Sequence, residues 1–255
     1  MPKEYAVTFS IAARDDKTGA FGVCGYTDIA GYGSIVPHVS LRGAAATQAY
    51  ANVDNGLRMM ELLETGATTA AAGQAIIDAD NGRDMRQLLA IGGPDDHFAW
   101  SGGECIPWKG HLVKGDHVVG ANCIKSERVI NAISEAYGDT AEEEFTLRLI
   151  LAVQAGETAG GHVETVDVAD DESGSVRTMP TKEVFGKSMS AAVMVAAPEP
   201  EMWHNLRVDA HPNAIGELSQ VYRDAQDSAN RVAAFYKGAI RIKPYYWRRV
   251  GAPMK

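Results

Sequence analysis

The 255-residue chain has few cysteines, few aromatic residues and a deficit of positive charge. Its three cysteines, Cys24, Cys105 and Cys123, are far apart and form no CxxC pair. This spacing predicts free thiols and argues against a disulfide framework or a cysteine-built zinc site. The chain carries 24 Lys and Arg against 33 Asp and Glu, a formal net charge of -9. Because phosphate recognition needs clustered Lys and Arg, no nucleic-acid partner is expected.

The sequence also lacks a long apolar run. No stretch is long enough to span a bilayer, so no membrane partner is expected. The first seven residues include Lys3 and Glu4 and contain no signal-peptide core, which predicts a cytoplasmic location. What is present is ordinary for a globular protein: 45% hydrophobic and 22% charged residues, in a chain long enough to bury a sizeable core.

The first fifty residues predict two β-hairpins. Apolar runs rich in β-formers flank turn residues, first around RDDKTG and then around Arg42-Gly43. The predicted strands are Tyr5–Ala13, Ala20–Tyr26, Ile35–Leu41 and Ala44–Tyr50. A Gly-rich crossing at Thr27–Ser34 joins the two hairpins. We expect any active site at the start of the first strand.

Beyond these hairpins, helices and strands are grouped, so that several strands are followed by several helices. Helices are predicted at Asn55–Glu64, Thr68–Asp78, Ser126–Tyr137, Ala141–Ala155 and Pro212–Tyr236, strands at Arg86–Ile91, His97–Ser101, His117–Cys123 and Ser190–Ala197, and a long loop at Gly160–Gly186. Such segregation favours helices layered on antiparallel sheets over a doubly wound parallel fold. We therefore predict an α/β protein of the α+β type, built as a four-layer αββα sandwich.

The expected organisation is a single domain over residues 1–255. Residues 1–7 form an N-terminal extension, residues 162–185 an inserted loop and residues 240–255 a C-terminal tail. The tail holds Tyr245, Tyr246 and Trp247 between basic residues, so it is expected to pack on the body or on a second subunit. A homo-oligomer is the predicted assembly.

Four segments, taken in order, resemble one bacterial protein family. They are TFSIAARDDKTGAFGV (Thr8–Val23), GSIVPHVSLRGAAATQAYAN (Gly33–Asn52), GGECIPWKGH (Gly102–His111) and LRVDAHP (Leu206–Pro212). This pattern is similar to the family called domain of unknown function 1028 (DUF1028), which is classed as similar in fold to the N-terminal-nucleophile (Ntn) hydrolases. The resemblance implies the four-layer plan and an amide-hydrolase ancestry, without a substrate.

The resemblance also implies a nucleophile position. Ntn hydrolases use a Thr, Ser or Cys at the first position of the mature chain, with its free α-amine as the base. Thr8 matches that position, and Gln48 and Asn122 are the expected polar groups facing it from neighbouring strands. Seven residues precede Thr8 here, so this chemistry requires cleavage of the Val7–Thr8 bond. The alternative is that Thr8 is an ordinary strand residue.

Six further residues are candidates for substrate binding: Ser10, His38, Asn52, Cys105, Trp108 and His111. Each has a structural alternative. Asn52 could close a turn, and Ser10 could be a plain strand residue. Cys105 would need a base such as His111 to act as a nucleophile, and is otherwise a buried thiol. Trp108 and His111 could pack a loop or form a pocket wall, and His38 could lie on the surface.

The remaining polar residues point to structure. Arg207 and Asp209 are expected to pair and pin the chain. The other histidines, His117, His162 and His204, share no ligand spacing, so neither a metal nor a cofactor is expected. Met189 stands where the relatives usually carry a Gln-bearing turn, which bears on the substrate.

Two functions remain open at this point. The first is catalysis, by a hydrolase that cleaves a linear amide or related C–N bond in a small molecule. The second is a non-catalytic protein that binds a small metabolite or assembles through its sheet edges. The N-terminal extension before Thr8 favours the second, whereas Thr8, Gln48 and Asn122 favour the first.

Overall fold

Antiparallel strands dominate the computed structural model, which describes residues 7–161, 165–169, 175–184 and 188–237. The strands are β1 (Thr8–Asp15), β2 (Ala20–Thr27), β3 (Pro37–Ser40), β4 (Gly43–Ala49), β5 (Arg86–Ile91), β6 (His97–Ser101), β7 (Gly110–Val113), β8 (His117–Asn122), β9 (Thr165–Ala169), β10 (Val176–Pro180), β11 (Met189–Ala196) and β12 (Asn205–His211). The helices are α1 (Tyr32–Ile35), α2 (Val53–Glu64), α3 (Thr69–Ala79), α4 (Arg128–Asp139), α5 (Phe145–Gly156), α6 (Thr181–Val184) and α7 (Ala214–Lys237). The fold is therefore a mixed α/β fold of the α+β type.

Three sheets result from the pairing of these strands. The largest has six strands in the order β12-β11-β2-β1-β8-β7, the second has four in the order β3-β4-β5-β6, and β9 pairs with β10 alone. The first hairpin is closed by turn residues: Asp15 accepts hydrogen bonds from the Lys17 amide and the Thr18 hydroxyl, and Gly19 adopts a φ of 71°. A positive φ costs glycine little, so this turn fixes the register of β1 and β2.

Alternation along β1 assigns its two faces. Phe9 and Ile11 are fully buried in a cluster that includes side chains of α4, α5 and α7. Ala12 instead joins a second cluster with Ala44 and Leu89 of the four-stranded sheet. The six-stranded sheet thus packs its other face on the four-stranded sheet.

The four-stranded sheet is covered in the same way on its outer face. Ala45 and Leu88, which alternate with the inward residues, pack on Met59 of α2 and Ile76 of α3. Helices therefore lie against the outer face of each sheet, and the two sheets face each other. Among the described residues, no helix has the length and apolar character to cross a membrane.

The structure corrects the prediction of a long loop at Gly160–Gly186. Its described residues form a helical turn at Glu157–Gly161, the β9-β10 hairpin and α6. Residues 170–174 of the acidic stretch ADDESG lie outside the described residues, and the β-branched residues of β9 were the better signal for a strand. Residues 1–6 and 238–255 lie outside the described residues. They include the start of the first predicted strand and the aromatic tail.

Three further elements were not predicted. The Gly-rich crossing contains the one-turn α1, and the short β7 and the polar-faced β12 extend the six-stranded sheet at its two edges. In β12, Leu206 and Val208 alternate with Arg207 and Asp209. The Arg207 Nε donates to Asp209 Oδ1 at 2.7 Å, which is the pairing that the sequence predicts.

Gly25 on β2 makes room for α1, and substitution to alanine is expected to destabilise the protein. A Cβ there would lie 2.1 Å from Tyr32 Oη and 2.6 Å from the Phe9 carbonyl oxygen. Because backbone and a fully buried tyrosine must shift, Gly25→Ala should lower the free energy of unfolding by about 1–3 kcal/mol in a urea titration. Gly103→Ala, whose added Cβ meets nothing within 4 Å, is the matched control. Equal midpoints for the two variants would contradict this packing.

Candidate functional site

A row of polar side chains crosses the six-stranded sheet where β1 begins. The register places Thr8 opposite both Asn122 on β8 and Thr27 on β2, and Thr27 opposite Ser190 on β11. All four residues are buried. Since Phe9 packs against the helices, the alternation of β1 turns the Thr8 side chain towards the four-stranded sheet.

A second polar row on the four-stranded sheet faces the first. Gln48 on β4 lies opposite Gln87 on β5, and Gln87 lies opposite Ser101 on β6. Leu88 points to the helices, so the neighbouring Gln87 points to the six-stranded sheet. Both glutamines are almost completely buried. A polar layer therefore replaces the apolar core at this end of the space between the sheets.

Gln48 connects the two rows through Ser10. Ser10 Oγ donates to Gln48 Oε1 at 2.5 Å, and Gln48 Nε2 donates to the Gly120 carbonyl at 3.2 Å. The Tyr32 hydroxyl lies 2.8 Å from Ser10 Oγ. Because Ser10 has given its hydrogen to Gln48, Tyr32 is the donor in that second bond. Burial raises the pKa of Tyr32, so the phenol keeps the proton that it donates.

Gln87 is the junction of the polar layer. Its Oε1 accepts from Gln48 Nε2 at 2.5 Å and from Asn122 Nδ2 at 3.3 Å. Its two Nε2 hydrogens are shared among three acceptors, Ser101 Oγ at 2.7 Å and the carbonyls of Gly110 and Ala121 at 3.0 and 3.2 Å. Carbonyl oxygens only accept, so these contacts fix the orientation of the Gln87 amide and, through it, those of Gln48 and Asn122.

Two hydrogen-bond donors contact the carbonyl oxygen of the peptide bond that precedes Thr8. Thr27 Oγ1 donates to the Val7 carbonyl oxygen at 2.8 Å, and the Asp28 amide donates to the same oxygen at 3.2 Å. Thr8 Oγ1 lies 3.0 Å from Thr27 Oγ1. Because Thr27 has given its hydrogen to the carbonyl, Thr8 donates to Thr27. The hydroxyl of Thr8 and the carbonyl that precedes it are thus linked through one side chain.

A buried carboxylate lies beside this peptide. Asp28 is 4% exposed and accepts a hydrogen bond of 2.5 Å from the Tyr26 hydroxyl. Burial, together with the charge of Asp28, raises the pKa of Tyr26, so that phenol stays protonated. The start of β1 therefore has an acidic group on one side and the amide layer on the other.

The structure brings several of the predicted site residues together. Asn122 is the cross-strand neighbour of Thr8, and Gln48 is joined to Asn122 through the Gln87 carbonyl oxygen. Ser10 bonds Gln48 directly. His111 lies at the exposed end of the same layer, where its Nδ1 is 2.9 Å from Ser101 Oγ.

Two predicted residues lie next to α2 instead. The His38 ring packs on Gly56 of α2, where an added Cβ would come within 2.3 Å of Nδ1. His38 Nδ1 lies 3.2 Å from the Val36 carbonyl oxygen. Asn52 caps α2 by accepting from the Asp54 amide at 3.2 Å.

The remaining two predicted residues pack in the loop between β6 and β7. The Cys105 thiol is 3.3 Å from the Arg86 carbonyl oxygen, and burial raises its pKa. The Trp108 ring covers Gly110 and packs against the helix-side core. Among the contacts of the described residues, the pairing of Cys105 with His111 that a thiol nucleophile would need is absent. His111 bonds Ser101 instead, and the Cys105 thiol bonds a backbone carbonyl. All three cysteines of the chain are free, as the sequence predicts, and all three are buried.

Sequence reasoning missed Gln87, Ser101 and Thr27. Gln87 could have been detected, because a glutamine directly precedes the apolar run LLAI within β5. Ser101 at a strand end and Thr27 beside a glycine-rich crossing carry no local signal. Within the described part of the chain, no group of three or more His, Cys, Asp or Glu side chains could hold a metal ion.

Comparison with known proteins identifies a family. The model of the family described as "Family of unknown function (DUF1028)" matches residues 8–218. The crystal structure of protein SPO2555 from Silicibacter pomeroyi, also of DUF1028, is similar with 28% sequence identity and a TM-score of 0.71, over 86% of each chain. The search of curated proteins gives no match. The chain therefore belongs to the DUF1028 family, whose function is unknown.

Proposed function

We propose that this protein is an Ntn-type hydrolase that cleaves an amide or related C–N bond of a small molecule, with Thr8 as its nucleophile. Two antiparallel sheets that face each other beneath outer helices are compatible with the αββα plan of that fold. Fold similarity is an association, so the argument rests on the site.

The observation that carries the proposal is the pair of donors on the Val7 carbonyl. Attack by Thr8 Oγ1 on the Val7 carbonyl carbon would turn this oxygen into an oxyanion, which the Thr27 hydroxyl and the Asp28 amide are placed to stabilise. The Thr8 nitrogen then leaves as an amine that takes up the hydroxyl proton. Water hydrolyses the resulting ester and frees Thr8 at the start of a new chain.

The freed α-amine supplies the base that the hydroxyl lacks. An α-amine titrates near neutrality, at about 7.7–8.0 in peptides, and can take the Thr8 Oγ1 proton during attack on a substrate. Asn122 lies opposite Thr8 and donates one hydrogen of its side-chain amide to Gln87 Oε1. The second hydrogen of that amide can be donated to a developing oxyanion. Gln87 holds that amide in place through its Oε1 atom.

Intact mass measurement tests the cleavage. Purified protein is expected to yield a chain that begins at Thr8, and Thr8→Ala should abolish its formation because the attacking hydroxyl is gone. Thr27→Val keeps the shape but removes the donor on the Val7 carbonyl, so cleavage should slow by about 10²- to 10³-fold.

Thr65→Val is the matched control, because its hydroxyl bonds only the exposed end of α2 through the Leu62 carbonyl. It should cleave at the wild-type rate. A chain that keeps Val7 bonded to Thr8, together with amidase activity that survives Thr8→Ala, would refute this proposal.

One observation favours a non-catalytic function as the second candidate. A cavity of about 610 Å³ lies at the opposite end of β1, lined by charged residues such as Lys17, Glu143 and Arg148. That volume suits a small metabolite, because ligand pockets span roughly 300–1,000 Å³. The mass measurement separates the two functions.

A further inference from the structure

Ser101 and His111 form a hydroxyl–imidazole pair at the exposed end of the polar layer. Ser101 ends β6, and His111 lies on β7, the edge strand of the other sheet. Ser101 Oγ is 2.9 Å from His111 Nδ1. The serine is half-buried and the histidine exposed, so a solute can approach this pair from outside.

The hydrogen bonds around Ser101 allow it to be the donor in this contact. Gln87 Nε2 donates to Ser101 Oγ at 2.7 Å, and its orientation is fixed by the carbonyls of Gly110 and Ala121. The serine hydrogen remains available for His111 Nδ1, which accepts it in the tautomer that carries the ring proton on Nε2. A hydroxyl that donates to an imidazole nitrogen is the arrangement of a nucleophile and its base.

Two further features suit that chemistry. Partial burial of its ring lowers the pKa of His111, although the residue remains accessible, so the imidazole is neutral and able to accept a proton at pH 7. Lys109 Nζ donates to the carbonyls of Gly102 and Gly103, the two residues that follow Ser101. The ammonium is thus held on the loop that directly follows Ser101.

We propose that Ser101 is a nucleophilic serine with His111 as its general base, forming a second reactive centre for esters and other activated acyl or phosphoryl compounds. Ser101 Oγ bonds to the acyl carbon while its proton passes to His111 Nδ1. The leaving alcohol takes that proton as its bond to carbon breaks, and water hydrolyses the new ester. This centre does not require cleavage before Thr8, so it stands apart from the function proposed above.

A fluorophosphonate tests the centre without a known substrate. The alkyl fluorophosphonate forms a P–O bond to a reactive serine, and fluoride leaves as the base takes the hydroxyl proton. Full-length protein treated with this probe at pH 7.5 should gain one adduct, which peptide mass mapping should assign to Ser101. Ser101→Ala should lose it.

His111→Asn separates catalysis from structure. The asparagine retains a hydrogen-bonding group near the position of Nδ1 but has no basic nitrogen, so labelling should slow by about 10²- to 10⁴-fold while the melting temperature stays close to wild type. Ser228, which is exposed on α7, is an internal control and should remain unlabelled. The proposal is overturned if the adduct forms on Thr8 or Ser228 instead, if no adduct forms, or if His111→Asn labels at the wild-type rate.

Discussion

Replacement of Gln87 by leucine is expected to lower the free energy of unfolding by about 3–6 kcal/mol, because several buried polar groups lose their partner at once. The amides of Gln48 and Asn122 lose their shared acceptor, and the Gly110 and Ala121 carbonyls lose their donor. Each buried group left unpaired costs about 1–3 kcal/mol, less whatever neighbouring bonds or entering water recover.

Urea denaturation of Gln87→Leu beside Gln74→Leu measures this effect. Gln74 is exposed on α3, where its amide bonds Asp78 at 2.8 Å, so its replacement should change stability by about 0.5 kcal/mol or less. Similar losses in the two variants would contradict the role of Gln87 as the junction of the polar layer.

Asn122→Ala is expected to slow acylation of the mature Thr8 by about 10²- to 10³-fold, the usual effect of removing one oxyanion donor. The reason is the position of Asn122 directly opposite Thr8, with its amide oriented by Gln87. A β-lactone serves as the electrophile, since opening of its ring by Thr8 Oγ1 leaves an ester that intact mass detects.

Asn205→Ala is the matched control, because Asn205 is exposed at the start of β12. It should acylate at the wild-type rate. Acylation that is equally fast in Asn122→Ala and Asn205→Ala would remove Asn122 from the reaction and leave it a structural role in the polar layer.

Local patterns predicted the elements that lead to the site. The apolar runs around RDDKTG gave the first hairpin, because strand alternation and turn chemistry are both encoded within a few residues. Asn122 at the end of β8 and Gln48 within β4 were expected near Thr8 from the family resemblance. The strands β7 and β12 escaped prediction because edge strands are short or polar on one face.

The connections within the site could not be predicted from local patterns. Gln87 meets Asn122 across 35 residues of sequence, and Ser101 meets His111 across two different sheets. Both contacts depend on how one sheet is positioned on the other, which no local periodicity specifies. The same limit explains His38, whose ring packs against Gly56 of α2 because β3 presents that side chain to the helix layer.

The burial of the three cysteines has a consequence for oxidative chemistry. Burial raises the pKa of all three thiols, that of Cys123 to about 12. Peroxides and disulfide exchange act through the thiolate, and a protonated, inaccessible sulfur offers them almost none. While the fold holds, we expect Cys24, Cys105 and Cys123 to react more slowly with these oxidants than exposed thiols do, and the hydroxyls of Thr8 and Ser101 remain the candidate nucleophiles.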